Sequence, residues 1–393
     1  MKSAVSISFE LDDVQAAADE LIAGLADGAS FGPDALGILY CDADVDGAAL
    51  TGILRERLGF DVVGMTTLAA LGPGGYNEMS SVLTVIAGEG VRFAVSVTPT
   101  LTGDTAADGI RAAYSEMEKN IGQPALLLLF PPAGMPFAGD VYPDTLAALA
   151  PGMPLLGGVA SDDYDYLRAR VFFSGRDFRD AAVLAGLAGE VHPRFYLRHV
   201  TSRFAERRQK VTESKGTTVY RVGDETFIEY LNGFGLRTDV DDPLLAFNSY
   251  PMMLTREGTD ETPLMRHISG LNAGTGEGVF LGNVPAGTIA NICLVNRDDI
   301  LSSCRLSMEG LAADAAAGDA EEGYSLVLCI SCCGRSMILG TESGAEGQIL
   351  EELLPAGYRL AGAYCLGEFS PALYKDGAAT NRFHNCSIVL CEL

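Results

Sequence analysis

The spacing of apolar residues along the chain predicts an alternation of helices and strands. Between residues 13 and 28, apolar positions recur every three or four residues, which predicts an amphipathic helix capped by Asp13. Uninterrupted apolar runs at residues 36–40 and 125–130 predict buried strands. Two further runs, at 81–86 and 91–97, flank a Gly-Glu-Gly loop and predict an antiparallel hairpin. The sheets are therefore predicted to be mixed.

The second half of the chain shows the same kinds of pattern. Glycine-punctuated apolar runs over residues 264–295 predict hairpins, and a helical pattern covers residues 299–313. We therefore predict an α/β (mixed α+β) fold of two pseudo-repeated halves, each with a mixed β-sheet flanked by helices. Basic residues cluster between positions 194 and 215. This change in composition places the predicted boundary between domains of residues 1–210 and 211–393.

Three stretches of the sequence are similar to one another. Residues 62–67 and 360–365 each follow a predicted helix and precede a loop and a strand, and residues 155–158 begin in a related way. Each stretch opens with two apolar residues followed by a glycine. Similarity of this kind indicates internal duplication rather than shared chemistry.

The charge balance limits the classes of partner. The 393 residues include 27 Lys and Arg against 52 Asp and Glu, a formal net charge of −25. Such a chain repels phosphate backbones and anionic lipid, so we predict no nucleic-acid partner and no membrane insertion. No apolar run reaches the roughly 18 residues of a membrane span. Nine cysteines scattered over a long chain are typical of reduced thiols, which predicts a cytoplasmic protein.

The familiar catalytic and metal-binding motifs do not account for this sequence. Asp42, Asp44 and Asp46 match the start of a calcium-binding EF-hand loop, but its twelfth position, which needs a bidentate Glu, is Ile53. These acids are better explained as capping the following helix. A Walker loop and a His-Glu-x-x-His helix are also absent. We predict no catalytic residue, no metal and no cofactor.

The cysteines leave two alternative functions open. Cys332 and Cys333 lie beside Arg335, and a nearby cation lowers the pKa of a thiol, which would suit a thiol-dependent enzyme. The second alternative is a redox or gas sensor that binds haem through a histidine such as His384, or an iron–sulfur cluster through the cysteines. A coloured protein would favour that second alternative.

Charged residues embedded among glycines and apolar strands are the strongest candidates for a ligand site. Arginine binds carboxylates in a bidentate manner and a carboxylate accepts from an ammonium group, so we predict a small anionic or zwitterionic ligand. The alternative is an internal salt bridge between Arg335 and Glu368. The candidate ligand-binding residues are Arg335, Glu368, Arg266, His267, Cys332, Gly367, Asp162 and Asp163.

These residues also carry a resemblance to a known family. The motifs lie at residues 154–163, 266–268, 331–335 and 362–368, the last followed by His384-Asn385. In this order they resemble the FIST (F-box and intracellular signal transduction) family, with an N-terminal and a C-terminal FIST domain in tandem over nearly the whole chain.

The resemblance implies a bacterial sensory input module for small ligands such as amino acids. FIST domains are often fused to signalling domains, but no segment of this sequence is left over for one. The resemblance therefore implies a stand-alone, non-enzymatic sensor that acts through a downstream signalling protein.

Overall fold

A computed structural model describes residues 1–25, 31–164, 166–200, 207–316 and 326–393. It confirms the predicted class: several mixed β-sheets are flanked by helices. Residues 201–206, which include Arg203 of the basic cluster, lie outside the described residues. Within the described ranges, no helix is long and apolar enough to cross a membrane.

The chain passes three times through the same order of elements: strand, helix, strand, helix, strand, hairpin, strand. We call these passages units 1, 2 and 3. Unit 1 contains β1 (Lys2–Ser8), α1 (Val14–Gly24), β2 (Ala35–Cys41), α2 (Gly47–Leu58), β3 (Asp61–Thr66), β4 (Ala70–Gly72), β5 (Gly75–Asn77) and β6 (Ser81–Ala87). Unit 2 contains β7 (Arg92–Val97), α3 (Ala106–Ile121), β8 (Leu126–Phe130), α4 (Val141–Leu149), β9 (Leu155–Gly158), β10 (Val171–Phe173), β11 (Arg176–Phe178) and β12 (Val183–Ala188).

Unit 3 has the same order but carries an inserted domain after its first strand, β13 (Arg194–His199). The insertion contains β14 (Gln209–Lys215), β15 (Thr218–Val222), β16 (Glu225–Thr226), α5 (Phe227–Asn232), α6 (Pro243–Ala246), β17 (Met252–Thr255), β18 (Leu264–Arg266), β19 (Ile268–Asn272), β20 (Glu277–Phe280) and β21 (Ile289–Ile292). Its strands form an eight-stranded sheet. Unit 3 then resumes with α7 (Arg297–Ala316), β22 (Leu326–Cys332), α8 (Cys333–Leu339), a 3₁₀ turn (Gly340–Glu342), α9 (Ala345–Glu352), β23 (Arg359–Cys365), β24 (Glu368–Lys375), β25 (Ala378–His384) and β26 (Ser387–Glu392).

Each unit builds a six-stranded sheet around one parallel pair. The pairs are β2 with β3, β8 with β9, and β22 with β23. The last strand of each unit then runs antiparallel beside the first member of the pair, and the first strand of the unit lies outside it. The three sheets are therefore equivalent in strand order.

The hairpins are exchanged between units in a cycle. Hairpin β4–β5 of unit 1 pairs with β23 of unit 3, and β24–β25 of unit 3 pairs with β9 of unit 2. Hairpin β10–β11 of unit 2 closes the cycle by pairing with β3 of unit 1. Each sheet is thus completed by a hairpin from another unit, and both predicted domains contribute strands to two of the sheets.

A glycine at the same place in each parallel pair explains the three similar stretches of sequence. Gly64, Gly157 and Gly362 lie opposite Leu39, Leu129 and Cys329 in the strand register. A Cβ at these glycines would lie 2.0, 2.1 and 1.8 Å from the opposite carbonyl oxygens. Any side chain would force the paired strands apart, so the repeated glycine is a packing requirement.

Alternation along the first strand of each parallel pair separates two layers of core. Ile38, Leu128 and Leu328 occupy equivalent positions and belong to a single buried cluster shared by the three sheets. The residues that follow them, Leu39 and Leu129 among them, face outward and pack under the helices of their own unit. The period of two therefore places one face of each sheet at the common core and the other under its helices.

One predicted pairing is wrong. The apolar runs at 81–86 and 91–97 form β6 and β7, but these strands belong to different sheets rather than to one hairpin. The short loop between them passes from unit 1 to unit 2. Strand periodicity is the same in either arrangement, so the local sequence could not distinguish a hairpin from a crossing between sheets.

We expect Gly157→Ala to destabilise the fold by ~2 kcal/mol or more, because its Cβ would overlap the Leu129 carbonyl oxygen at 2.1 Å. The matched control is Gly344→Ala, at a site with helical backbone angles and no atom within 4 Å of the new methyl. Urea unfolding followed by circular dichroism measures both. If the two variants were equally stable, the close contact between Gly157 and the Leu129 carbonyl would not require a glycine.

Candidate functional site

The carboxyl ends of parallel strands from all three units meet at one place. The Ser161 hydroxyl, just beyond β9, donates to the Tyr364 carbonyl of β23 at 2.7 Å and accepts from the Leu68 amide at 2.9 Å. The Ser161 amide donates to the Thr66 carbonyl of β3 at 3.1 Å. Crevices at the carboxyl ends of strands are the usual ligand sites of α/β sheets. This junction is where most of the predicted site residues lie.

Arg335 is fully buried in an ion pair with Glu346 rather than with Glu368. Its Nη2 lies 2.6 Å from Glu346 Oε1 and also donates to the Ile300 carbonyl and Ser303 hydroxyl on α7. Both partners have no exposed side-chain surface. The pair therefore ties α8 and α9 to α7, and the predicted alternative pairing with Glu368 is replaced by this one.

Arg266 is the second fully buried guanidinium. Its Nη2 lies 2.8 Å from Asp140 Oδ1, next to the start of α4. Its remaining bonds go to carbonyl oxygens: Nε donates to Asn283, and Nη1 donates to Met265 and Phe383. This arrangement joins the inserted sheet to unit 2 and engages every nitrogen of the guanidinium.

Glu368 is fully buried, and the charge of the Arg335 guanidinium acts to lower its pKa. Its Oε2 accepts from the Ser387 hydroxyl at 2.6 Å and from the Ser387 amide at 3.2 Å. Burial raises the pKa of its carboxyl from 4.5 to about 8, although the Ser387 bonds and a contact with Cys332 act in the opposite direction. Glu368 is therefore mostly protonated at neutral pH and can donate a hydrogen bond.

His267 and Gly367 are close-packed rather than open to solvent. Burial lowers the pKa of His267 to about 4, so its ring is neutral, and its Nε2 has no partner among the described residues. A Cβ at Gly334 would lie 2.7 Å from the ring. At Gly367 a Cβ would meet the ring of Phe383 at 2.4 Å, which explains the glycine there.

Asp162 and Asp163 shape a loop. The buried Asp162 carboxylate accepts from the amides of Tyr166, Arg168 and Ala169 at 2.9–3.1 Å. Asp163 is paired with the Arg168 guanidinium. The loop holds Tyr166 at φ +60°, a strained conformation for a bulky residue, and presents it at the junction of the units.

The thiol-enzyme alternative assumed that Arg335 lowers the pKa of the Cys332 and Cys333 thiols, and the structure contradicts this assumption. Burial raises the pKa of Cys333 to about 12, and it raises that of Cys332 well above its ordinary value, despite the nearby guanidinium. Both thiols are therefore protonated at neutral pH and poor nucleophiles. Arg335 does not act on them as predicted because its charge is directed to Glu346.

The histidine and cysteine groups considered for a metal or cluster are also buried. His384 Nε2 donates to the Ser370 carbonyl oxygen at 3.1 Å, and its ring packs against that of His199, with ring centroids 5.2 Å apart. Burial holds the pKa of His384 well below its ordinary value. Over the ranges that the structure covers, no three His, Cys, Asp or Glu side chains are arranged to hold a metal ion.

A cavity of about 490 Å³ lies next to this junction, and it was not among the sites predicted from the sequence. We call it the unit 2 cavity, because its longest wall is the loop after β8, residues 131–139. Val159, Leu366 and Tyr166 line it from the strand ends and the strained loop, and Phe280 and Gly282 line it from the inserted domain. Tyr142 also lines it, and its buried hydroxyl has no hydrogen-bond partner among the described residues.

Sequence reasoning missed Tyr142, Tyr166, Glu346 and Asp140. A signal for the cavity was present: Pro131 and Pro132 directly follow a buried parallel strand, at the end where α/β sheets bind ligands. The two ion-pair acids had no such signal: Asp140 lies 126 positions from Arg266, and nothing in the sequence distinguished Glu346, 11 positions from Arg335, from other acids.

Family models match the chain over most of its length. The FIST N domain matches residues 35–225, and the FIST C domain matches residues 225–371. The chain belongs to the FIST family. FIST domains are sensory signal-transduction domains, so family membership gives this chain a sensory role in that general sense. The domain boundary placed between residues 210 and 211 stays a prediction.

Other comparisons add little to the FIST assignment. A search of curated proteins gave no match. Solved structures include PurLQS from Thermotoga maritima, at 10% identity and a TM-score of 0.20, covering 99% of this chain and 72% of that chain. T. maritima PurL complexed with ATP has 9% identity and a TM-score of 0.19, with 99% and 71% covered. Scores this low support no structural or functional argument.

We expect Arg335→Met to lower the free energy of unfolding by roughly 3–5 kcal/mol, because it leaves Glu346 buried without its counterion. The control is Arg297→Met, which removes an exposed pair with Glu342 and should change stability little. Urea unfolding measures both. If Arg335→Met were as stable as wild type, the ion pair would not be structural and a ligand role for Arg335 would regain support.

The raised pKa of Glu368 predicts a fall in stability with rising pH. Between pH 6.5 and 8 the folded chain retains a proton on Glu368 that the unfolded chain has released. Wild type should therefore lose up to about 1.4 kcal/mol per pH unit relative to Glu368→Gln, which cannot ionise. His267 does not affect this comparison, because it is present in both proteins. If the free energies of unfolding of the two proteins changed equally with pH across this window, the prediction would be refuted.

Proposed function

We propose that this FIST protein is a non-enzymatic sensor that binds a small molecule in the unit 2 cavity. The observation that carries the proposal is the cavity itself: about 490 Å³, at the carboxyl ends of β8 and β9, with a wall made mostly of apolar and aromatic side chains. Its volume lies in the range of small-molecule sites.

The composition of the walls supports a sensory role. Three separate parts of the molecule meet there: the 131–139 loop of unit 2, the inserted domain at Phe280 and Gly282, and the strained loop at Tyr166. A ligand that contacts all three would favour one relative arrangement of them over others. Such a differential contact is how binding shifts a conformational equilibrium.

Three of the residues predicted from sequence are next to residues of the cavity wall. Asp162 holds the loop that carries Tyr166, Gly367 follows Leu366, and Arg266 lies directly behind Gly282. Their contribution in this proposal is to position the walls. An anionic or zwitterionic ligand held directly by Arg266, as the sequence predicts, would have to displace Asp140 from its ion pair. Arg335 is paired with Glu346, and its Nη1 has no hydrogen-bond partner among the described residues.

The absence of catalysis is part of the proposal. The thiols nearest the junction are protonated at neutral pH, and His267 is neutral and close-packed. A sensor without chemistry needs an output, so we include a downstream signalling protein in the cytoplasm as its partner. The strained Tyr166 loop, with Leu167 73% exposed, is the part of the cavity wall that such a partner could contact.

Filling the cavity tests the proposal. Protein purified without added ligand is analysed by native mass spectrometry for a retained small molecule, and then by thermal shift after the molecule is added back. Ala133→Trp places a large side chain in the cavity wall and should abolish both signals. The control, Ala286→Trp, changes an exposed residue outside the wall and should retain them. Retention of the ligand by Ala133→Trp would exclude this cavity as the site.

A further inference from the structure

Exposed apolar side chains are concentrated beside the unit 2 cavity. Among the described residues, seven large hydrophobic side chains are exposed, and three of them are Tyr166, Leu167 and Leu245. Tyr166 lines the cavity, Leu167 follows it in the chain, and Leu245 follows Leu244, another wall residue. Leu167 is the most exposed of the seven, at 73%, and Leu245 is 61% exposed. The exposed apolar surface is therefore associated with one feature of the molecule.

The Tyr166 loop and helix α6 lie close together, although they are far apart in sequence. Tyr166 and Leu244 both line the cavity. Burial raises the pKa of Tyr166 to about 12, and the charge of Asp242 adds to the increase. Since exposed charges are screened beyond roughly 10 Å, Asp242 must be near the Tyr166 hydroxyl. Asp242 also accepts from the Leu245 amide at 3.1 Å. We call the surface formed by Tyr166, Leu167 and Leu245 the apolar patch.

The fold holds this patch in contact with water. The buried Asp162 carboxylate accepts from the amides of Tyr166 and Arg168, on either side of Leu167. The exposure of Leu167 is therefore fixed by hydrogen bonds on both sides of it. Apolar surface that a fold keeps exposed in one place usually marks a contact with another molecule.

The charges around the apolar patch are mostly negative. The chain segments and ion pairs next to Leu167 and Leu245 contain five carboxylates and three guanidiniums, from Asp44, Asp163, Asp239, Asp241, Asp242, Arg168, Arg179 and Arg237. Two of the carboxylates, Asp44 and Asp163, already bind the Arg168 guanidinium. The surroundings of the patch therefore carry net negative charge, as the whole chain does, and attract cationic side chains.

We propose that the apolar patch is the docking site of the downstream signalling protein, and that the docked segment carries large apolar side chains flanked by lysines or arginines. This rests on the proposed function, because a sensor needs an output. The partner's apolar side chains cover Leu167 and Leu245, and its cationic side chains meet the surrounding carboxylates. Tyr166 belongs both to the patch and to the cavity wall, so it connects the two sites.

Two synthetic peptides test the chemistry of the partner. Both are amphipathic peptides of leucine and alanine, one with lysines on its polar face and the other with glutamates. Their binding to the full chain is measured by fluorescence anisotropy at physiological salt, which screens attraction between charges that are not in contact. We expect the lysine peptide to bind at least tenfold more tightly than the glutamate peptide. Equal affinities, or no binding of either peptide, would overturn the proposal.

Substitutions in the patch separate docking from general attraction to an acidic chain. Leu167→Ser and Leu245→Ser should each weaken binding of the lysine peptide about tenfold, because each removes one apolar contact. The control, Leu306→Ser, removes a leucine that is 50% exposed on α7 and should leave binding unchanged. All three are surface changes, so stability should change little. If the three variants bind the lysine peptide equally, the patch is not the docking site.

A membrane is the competing occupant of an apolar patch. Vesicles of phosphatidylcholine, which has no net charge, should not retain the full chain on sedimentation. If they retain it and Leu167→Ser abolishes the retention, the patch is a membrane contact and the proposal is wrong.

The variant Ala133→Trp distinguishes this inference from the small-molecule proposal. It fills the unit 2 cavity but leaves Leu167 and Leu245 unchanged, so it should lose the retained small molecule and keep peptide binding. If the lysine peptide selects the patch but no small molecule is retained, the docking site stands and the ligand proposal fails. If the cavity retains a small molecule but the patch variants do not affect the peptide, only the docking proposal fails.

Discussion

The structure depends on one hydrogen-bonding constraint: each parallel strand pair is completed by a hairpin from another unit. The second strand of each pair, β3, β9 or β23, would otherwise be an open edge with unpaired amides and carbonyls. Because the hairpins are passed around in a cycle, no unit can complete its sheet alone. The exchange also brings the carboxyl ends of the strands together, and so it creates the junction at which the candidate site lies.

The charged groups buried around the junction of this acidic chain are mostly paired or neutralised. Its two fully buried arginines are each neutralised by a carboxylate, Glu346 for Arg335 and Asp140 for Arg266. Glu368, another buried acid at the junction, is held mostly protonated, and the nearby imidazoles are neutral. Paired charges cost less to bury than single ones, and a broken pair costs most. These arginines therefore join elements of the fold together.

The repeated architecture also explains where the site can differ between units. The three units share their strand order and their close glycine contacts, but the loop after the first parallel strand differs in each. In unit 1 that loop caps α2 through Asp46, and in unit 3 it passes directly into α8. In unit 2 it is the longer, proline-rich segment 131–139, which leaves room for the cavity. The inserted domain of unit 3 then covers the cavity from the other side.

The sequence by itself determined the class of fold, many of its elements and the family. Apolar spacing indicated helices and strands such as α1 and β8, and the three similar stretches indicated duplication, because these signals depend on local periodicity and close packing. Only the tertiary structure decided which strands pair, since strands in one sheet or two sheets have the same period. It also decided the partners of Arg335 and Arg266, because charge type alone does not specify which distant carboxylate a guanidinium meets. The cavity also depends on the tertiary structure. Its lining residues include some that lie more than a hundred positions apart, and they come together only when the inserted domain packs against unit 2.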